Sequence, residues 1–150
     1  MNPEITRSQA AWLHCLRWGP LLIWMGVISG LSTDAFSAAE TSRFILPILR
    51  WLLPYASPET LNSLHAVIRK AAHVTEFAVL SFLWYRALEW SRTKWRAASA
   101  LWAFLLAGAF GALDEAHQLV VPSRTASIVD VGWDSLGALF GVLARHAMRW

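Results

Sequence analysis

Long apolar stretches separated by short charged segments dominate the pattern along the chain. Four of them approach or exceed the about 20 residues that a helix needs to cross a bilayer. They cover residues 18–33, 71–90, 97–121 and 128–147. The predicted fold class is therefore all-α, a polytopic transmembrane helix bundle with four spanning helices. Residues 1–150 are predicted to form a single membrane domain, with residues 57–147 as the part that carries the motifs.

The first apolar stretch has two interpretations. It follows Arg7 and Arg17 and precedes DAFSAA, whose small residues are typical of a signal-peptide cleavage site. The basic segment before it is long for a signal peptide, however, and Trp12, Trp18 and Trp24 fit the interfacial anchors of a retained helix. We expect a retained helix, with a cleaved signal peptide as the alternative.

The long connection between the first two spans contains a second kind of apolar segment. FILPILRWLLPY is too short to cross a bilayer and holds two prolines, so we expect an interfacial or re-entrant helix there. The sequence Ser57-Pro58-Glu59 then indicates a helix start, with a hydroxyl cap, a proline in the first turn and an acid at the positive end of the helix dipole. Nothing breaks this helix before Trp90.

Composition supports a membrane protein and argues against nucleic-acid binding. Apolar residues make up 56% and charged residues 15% of the chain, whereas soluble domains average about a quarter charged. The net charge of +3 comes from residues in predicted loops and tails and forms no basic stripe. The positive-inside rule places both termini in the cytoplasm. The residues behind this assignment are Arg7, Arg17, Arg86, Arg92, Lys94, Arg96, Arg145 and Arg149.

Polar residues interrupt three of the predicted spans at a similar depth, in the half away from the basic loops. A charge that faces hydrocarbon costs at least about 2.5–3.5 kcal/mol, so these side chains should face one shared interior site or wet cavity. Acid–base chemistry would assign the catalytic roles to His73, Glu76, Glu115 and Asp130. The predicted substrate-binding residues are Arg69, Lys70, Asp114, Gln118, Arg124 and Asp134.

Each of these residues also has a structural interpretation. Arg69 and Lys70 could be headgroup residues at a helix entrance, and Asp130 could cap the last helix. Asp134 lies one turn deeper, where capping does not account for it. The other histidines, including His65, are expected at the interface, and glycines 108, 111, 137 and 141 are expected to serve helix packing, since GALFG is a small-x-x-x-small pattern.

Two segments together resemble the VanZ-like family of small bacterial membrane proteins. They are RKAAHVTEFAVLSFLWYRAL and DEAHQLVVPSRTASIVDVGWDSLGALFG, and the resemblance covers about residues 69–141. The family pattern corresponds to Lys70 with His73, Glu115 with Gln118, Pro122 with Arg124, then Asp130, Asp134 and Gly137. Many members of the family carry Asn where this chain has Asp134, which adds a negative charge here.

The resemblance implies a role at the bacterial cell envelope, because the family is named for a member linked to resistance to the glycopeptide teicoplanin. It implies no established reaction. We therefore expect an inner-membrane protein that binds or processes an anionic lipid or glycolipid from the outer leaflet. The alternatives are a lipid transporter or flippase and a structural partner of another membrane protein. No cofactor is expected, although a divalent metal held by His73, Glu76, Asp114 and Asp130 is a variant of the first hypothesis.

Overall fold

The protein is all α-helical over the part of the chain that the structure describes. This structure is a computed structural model that describes residues 7–89, 96–121 and 127–148. Five α-helices and no strand occur in these ranges, which confirms the predicted all-α class. The elements are α1 (Arg7–Leu31), a 3-10 turn (Asp34–Phe36), α2 (Ala38–Leu52), α3 (Pro58–Glu89), α4 (Arg96–Gln118) and α5 (Ile128–Ala147).

The helix starts follow from local capping. Ser57 precedes α3 as predicted, and its hydroxyl accepts a hydrogen bond from the Thr60 amide at 3.3 Å. Ser37 caps α2 by accepting from the Glu40 amide, and Ser127 caps α5 by accepting from the Val129 amide. Each hydroxyl satisfies one of the amides that a helix start leaves without a partner.

Several predicted boundaries differ from the structure, and α1 also ends at Leu31 instead of residue 33. Helix α1 begins at Arg7 instead of residue 18, because no helix-breaking residue separates the polar start from the apolar part. Helix α4 ends at Gln118 instead of residue 121, and the amides of Val120 and Val121 close turns on the carbonyls of His117 and Gln118. The predicted bounds of α5 are confirmed. The predicted interfacial segment lies within and just after α2, which begins at Ala38.

The prediction of four spanning helices is not confirmed. Among the described helices, α1 and α4 are long and apolar enough to cross a membrane. Charged residues in α3 and α5 lower the apolar content of these helices, and in α5 they are Asp130, Asp134 and Arg145. The outer surface is nevertheless strongly apolar. Large apolar side chains that are more than half exposed occur on α1, α2, α4 and α5, as expected for contact with lipid. They include Trp12, Ile23, Phe44, Trp51, Leu101, Trp102, Leu113, Val129 and Leu143.

Helix α3 lies at the centre of the bundle and packs most extensively against α5. The two helices cross at the predicted glycines. A Cβ atom on Gly137 would lie 2.3 Å from the Val74 carbonyl oxygen, and one on Gly141 would lie 1.9 Å from the Ala78 carbonyl oxygen. No side chain fits at such distances, so these glycines set how closely the helices approach. The same expectation is wrong for Gly108, because among the described residues nothing lies within 4 Å of the position that its Cβ atom would occupy.

Arginine side chains close the end of the bundle that lies away from the predicted site. Pro20 lacks the amide that would bond the Leu16 carbonyl, and Arg86 donates to that carbonyl instead at 3.1 Å. Arg17 donates to the carbonyl of Ala87, which belongs to the last turn of α3. These contacts bind α1 to α3 and gather basic residues at one end of the bundle.

Candidate functional site

A histidine and a buried aspartate connect α3 to α5 at the other end of the bundle. His73 Nδ1 lies 3.2 Å from Asp134 Oδ1, and the Asp134 side chain is only 1% exposed. A carboxylate is an acceptor, so Nδ1 donates this hydrogen bond and Nε2 is the nitrogen that can exchange a proton. No described residue hydrogen-bonds to Nε2. The geometry therefore orients the imidazole as a general acid or base would require.

The second oxygen of Asp134 is buried without a hydrogen-bond partner among the described residues. It lies against α4, where a Cβ on Gly111 would be 3.1 Å from Oδ2. Phe77 of α3 closes the site on the side of the bundle centre and is fully buried. Packing thus holds Asp134 between three helices, and the aspartate holds His73.

One turn towards the end of the bundle, a second pair connects the same two helices. Lys70 Nζ donates to Asp130 Oδ1 at 2.5 Å, and the ammonium also lies 5.9 Å from the centre of the Trp133 ring. Both charged side chains are partly exposed. Lys70 was predicted to bind substrate, but in this arrangement its charge is balanced by Asp130.

The two acids of α4 have different partners. Asp114 Oδ2 accepts from the Ser32 hydroxyl, just after α1, at 2.6 Å and from Gln118 Nε2 at 3.0 Å. Glu115 Oε2 accepts from the backbone amide of Ser127 at 2.8 Å. Glu115 therefore caps the start of α5 from a neighbouring helix, while Asp114 joins α4 to the end of α1. Both acids are buried.

Arg69 faces away from α4 and α5. Its NH1 group donates to the Phe36 carbonyl at 3.1 Å and to the Thr41 hydroxyl at 3.3 Å. Thr41 also lies 3.2 Å from Nε2 of His65, which is buried within the protein. Arg69 thus ties α3 to the 3-10 turn and α2 and is held in one orientation.

A pocket of about 160 Å³ separates α2 and the 3-10 turn from α1 and α3. Its polar lining comes from Ser32, Thr41, Arg69, His73 and Glu76. The remaining wall is apolar and consists of Leu31, Phe36, Ile45, Ile68 and Ala72. A pocket with an apolar wall and a few convergent polar groups is typical of a small-molecule site.

His73 connects this pocket to the carboxylates behind it. Glu76 and Asp130 are close enough to interact electrostatically with the imidazole, in addition to Asp134. Glu115 interacts in the same way with Asp130 and Asp134. Asp130 and Asp134 thus place negative charge behind His73, while Arg69 and Glu76 place one charge of each sign on the pocket side.

The structure brings most of the predicted site residues to one end of the bundle but divides them into two groups. Arg69, His73 and Glu76 line the pocket, whereas the residues of α4 and α5 lie behind His73. Arg124 lies outside the described residues. Within the described ranges, no group of three or more His, Cys, Asp or Glu side chains is placed to hold a metal ion.

Ser32 and Thr41 were not identified from the sequence. Ser32 could have been found from the polar pair Ser32-Thr33 that ends the first apolar stretch, because a hydroxyl there needs a partner inside the bundle. No sequence signal distinguishes Thr41 from other hydroxyl residues. Its role depends on the way in which α2 folds back onto α3.

The helical fold, the apolar surface and the polar pocket define a class of small membrane protein with an ionisable site at one end of a helix bundle. The family model of VanZ/LLP1 matches residues 18–149, which is almost the whole chain. The chain therefore belongs to the VanZ/LLP1 family, as the two motif-bearing segments predicted. No curated protein and no solved structure shows significant similarity to the chain.

Proposed function

We propose that this VanZ-like protein binds and chemically processes an anionic lipid or glycolipid component of the bacterial cell envelope. The observation that carries this proposal is the pocket in which Arg69 and His73 meet an apolar wall. An amphiphile needs both surfaces, because its charged group requires donors and its chain requires apolar contact. The exposed apolar surface around the pocket offers further contact to the chain of such a molecule.

Each pocket side chain has a different role in the proposed mechanism. Arg69 binds the anionic group through the guanidinium nitrogens that Phe36 and Thr41 do not occupy. His73 gives or takes a proton at Nε2 while Asp134 stabilises the charged imidazole at Nδ1. Glu76 lines the pocket beside His73 and interacts with it electrostatically.

The residues behind His73 have positioning roles in the same proposal. Asp130 holds Lys70, Asp114 holds Ser32 and Gln118, and Glu115 holds the start of α5. These contacts join α3 to α5, the end of α1 to α4, and α4 to the start of α5. Together they keep the imidazole and its aspartate at a fixed distance, which acid–base catalysis requires.

The proposed orientation is multi-pass in the inner membrane, with the pocket end towards the outer leaflet. Arg17, Arg86 and Arg145 lie at the opposite end, where the positive-inside rule places the cytoplasm. Cysteine labelling at position 123 tests this orientation. A cysteine there should react from the outer side of intact cells, and labelling only from the cytoplasm would reverse the assignment. The same experiment needs Cys15 replaced, because it is the one other thiol in the sequence.

Teicoplanin susceptibility and lipid profiles of expressing cells test the function. His73→Ala, Arg69→Gln and Asp134→Asn should each abolish the change that the wild-type protein causes. His117→Ala is the matched control, because His117 is exposed at the end of α4 and does not line the pocket. Amounts of inserted protein must be equal. Full activity in all three site variants would exclude the proposed acid–base role.

A structural role is the second candidate, because several predicted site residues have structural partners. Glu115 caps α5, and Gly141 sets the helix crossing. In a purely structural protein, Asp134→Asn would be silent while Gly141 substitutions abolish function. A transport path has less support. Phe77 and Leu80 follow the pocket residues along α3 and are apolar and fully buried, so the polar lining does not continue beyond the pocket.

A further inference from the structure

We propose that α2 lies along the membrane surface at the pocket end of the bundle, with its apolar face on the lipid and its two arginines among the headgroups. The sequence left a re-entrant helix as the alternative. The proposal goes beyond the proposed function and does not depend on the chemistry in the pocket. Three features support it, namely the spacing of charged contacts in the bundle, the way in which α2 is connected to α3, and the faces of α2.

Charged contacts between α3 and α5 form two layers that fit the two boundaries of a bilayer. Lys70 pairs with Asp130 at the pocket end, and Glu89 lies 3.4 Å from Arg145 at the other end. Lys70 and Glu89 are separated by about 28 Å along α3, and their partners on α5 by about 22 Å. The long lysine and arginine side chains can span this difference. Because the hydrocarbon core is about 30 Å thick, each layer would lie near one of its boundaries.

Helix α2 begins at the level of the layer formed by Lys70 and Asp130. Arg69 directly precedes Lys70 on α3 and donates to the Phe36 carbonyl and the Thr41 hydroxyl. His65 lies about 6 Å further from that layer along α3, on the same face as Arg69. Its Nε2 atom is 3.2 Å from the Thr41 hydroxyl. The first turn of α2 would therefore lie just outside the hydrocarbon.

The connection to α3 keeps the other end of α2 out of the hydrocarbon as well. Helix α3 starts at Pro58, which is about 18 Å beyond Lys70. The segment from Leu52 to Pro58 spans at most about 22 Å even when fully extended. If α2 pointed into the membrane from Thr41, Leu52 would lie about 30 Å from Pro58 along the bundle axis. The connection is too short for that path, which excludes the re-entrant alternative.

The faces of α2 fit a helix that rests on lipid. Phe44, Ile48 and Trp51 lie on one side, at spacings of three and four, and are 72%, 58% and 80% exposed. Arg43 and Arg50 are also exposed and lie about 100° around the axis from Phe44 and Trp51. No residue of α2 is buried. An apolar face that carries a tryptophan, with arginines beside it, is typical of helices in the interface of a membrane.

This position of α2 has a consequence for the pocket. Thr41 and Ile45 are one turn apart on α2 and line the pocket opposite Arg69. With α2 on the membrane surface, the mouth of the pocket lies at the level of the headgroups. Contact between the apolar face of α2 and lipid then helps to hold this wall of the pocket in place.

Spin labelling of the full-length protein tests the proposal. Single-cysteine variants in a Cys15→Ser background carry a nitroxide at position 43, 44, 48, 50 or 51, in vesicles of phosphatidylethanolamine and phosphatidylglycerol. Power-saturation electron paramagnetic resonance compares contact with oxygen, which dissolves in lipid, and contact with a water-soluble nickel chelate. Labels at 44, 48 and 51 should have a several-fold higher ratio of oxygen to nickel contact than labels at 43 and 50. No trend should run along the helix.

Three other patterns would overturn the proposal without affecting the proposed function. A ratio that rises steadily from position 43 to 51 would indicate a re-entrant helix. High nickel contact at all five positions would place α2 in water. Immobile labels at 44, 48 and 51 that contact neither reagent would indicate that a protein partner or a second copy covers this face.

A charge on the apolar face gives a second test. Ile48→Asp should lower the ratio of oxygen to nickel contact at position 51 several-fold, because aspartate avoids lipid. Ala39→Asp is the matched control, since Ala39 is exposed on the side of α2 that carries Arg43, and it should leave this ratio unchanged. A label introduced by Leu105→Cys on the exposed face of α4 should keep its high oxygen contact in both variants, which shows that the bundle is still inserted. An unchanged ratio at position 51 in Ile48→Asp would contradict the contact between α2 and lipid.

Discussion

Replacing Gly141 by alanine should weaken the contact between α3 and α5, which is the most extensive in the bundle. The added Cβ would lie 1.9 Å from the Ala78 carbonyl oxygen and 2.2 Å from the Ser81 hydroxyl. Ordinary contact begins at 3.4 Å, so the α3 backbone would have to recede by about 1.5 Å. A rotamer change at Ser81 relieves only part of the clash, because the carbonyl belongs to the helix backbone.

The expected cost combines three contributions. Overpacking at a close contact costs about 1–3 kcal/mol. Moving the helices apart also breaks the buried bond from the Ser81 hydroxyl to the Ala138 carbonyl, now 2.7 Å long, at about 1 kcal/mol. Alanine favours the helix by about 1 kcal/mol over glycine, which offsets part of this. The net loss should be about 1–3 kcal/mol in the free energy of unfolding.

Unfolding of purified protein in mixed detergent micelles, followed by tryptophan fluorescence, measures this loss. Gly132→Ala is the matched control, because it lies in the same helix and has nothing within 4 Å of its Cβ position. The control should keep or slightly raise stability through helix propensity. If Gly141→Ala were as stable as Gly132→Ala, the inferred close crossing of α3 and α5 would be wrong.

Three further changes test other contacts of the site by the same unfolding measurement. Asp134→Leu should be about 1–3 kcal/mol less stable than Asp134→Asn, because only asparagine keeps an acceptor for the partly buried His73; equal stability would contradict this hydrogen bond. Ser32→Ala should cost about 1–3 kcal/mol, since it removes a buried 2.6 Å bond to a carboxylate, whereas Ser29→Ala on the exposed face of α1 should be near neutral. Lys70→Met should cost no more than about 1 kcal/mol, since its pair with Asp130 is partly exposed; a larger loss would show that the pair is structurally essential.

Much of the fold could be predicted from local sequence patterns. The start of α3 at Pro58 and both bounds of α5 were predicted correctly, because a serine cap precedes each helix and the largely apolar stretch of α5 extends to residue 147. The small-x-x-x-small pattern also identified the glycines at the α3–α5 crossing. The expectation was wrong for Gly108, since glycine spacing does not reveal whether a second helix lies opposite.

The proximity of His73 to the polar residues of α4 and α5 could be predicted from the sequence, but the pairings of these side chains could not. Depth along each helix correctly grouped His73 with residues of α4 and α5, because position along a helix follows from counting residues. Position along a helix does not specify which way the helix is turned about its axis. It therefore could not identify Asp134 as the direct partner of His73 or separate Arg69 from that group. Ser32 and Thr41 come from segments that depth alone did not connect to the site.

The sequence by itself determined the helical class, the family and the residues that had to avoid lipid. These properties depend on composition, spacing and the cost of placing charge in hydrocarbon, which act on each segment separately. Only the tertiary structure decided that α2 folds back to form a pocket with α3 and that Glu115 caps a neighbouring helix. These features depend on how each helix is oriented about its axis and on how closely the helices approach each other. Contacts between residues far apart in the chain determine both, for example the glycine contacts between α5 and α3 and the bond from Arg69 to Phe36.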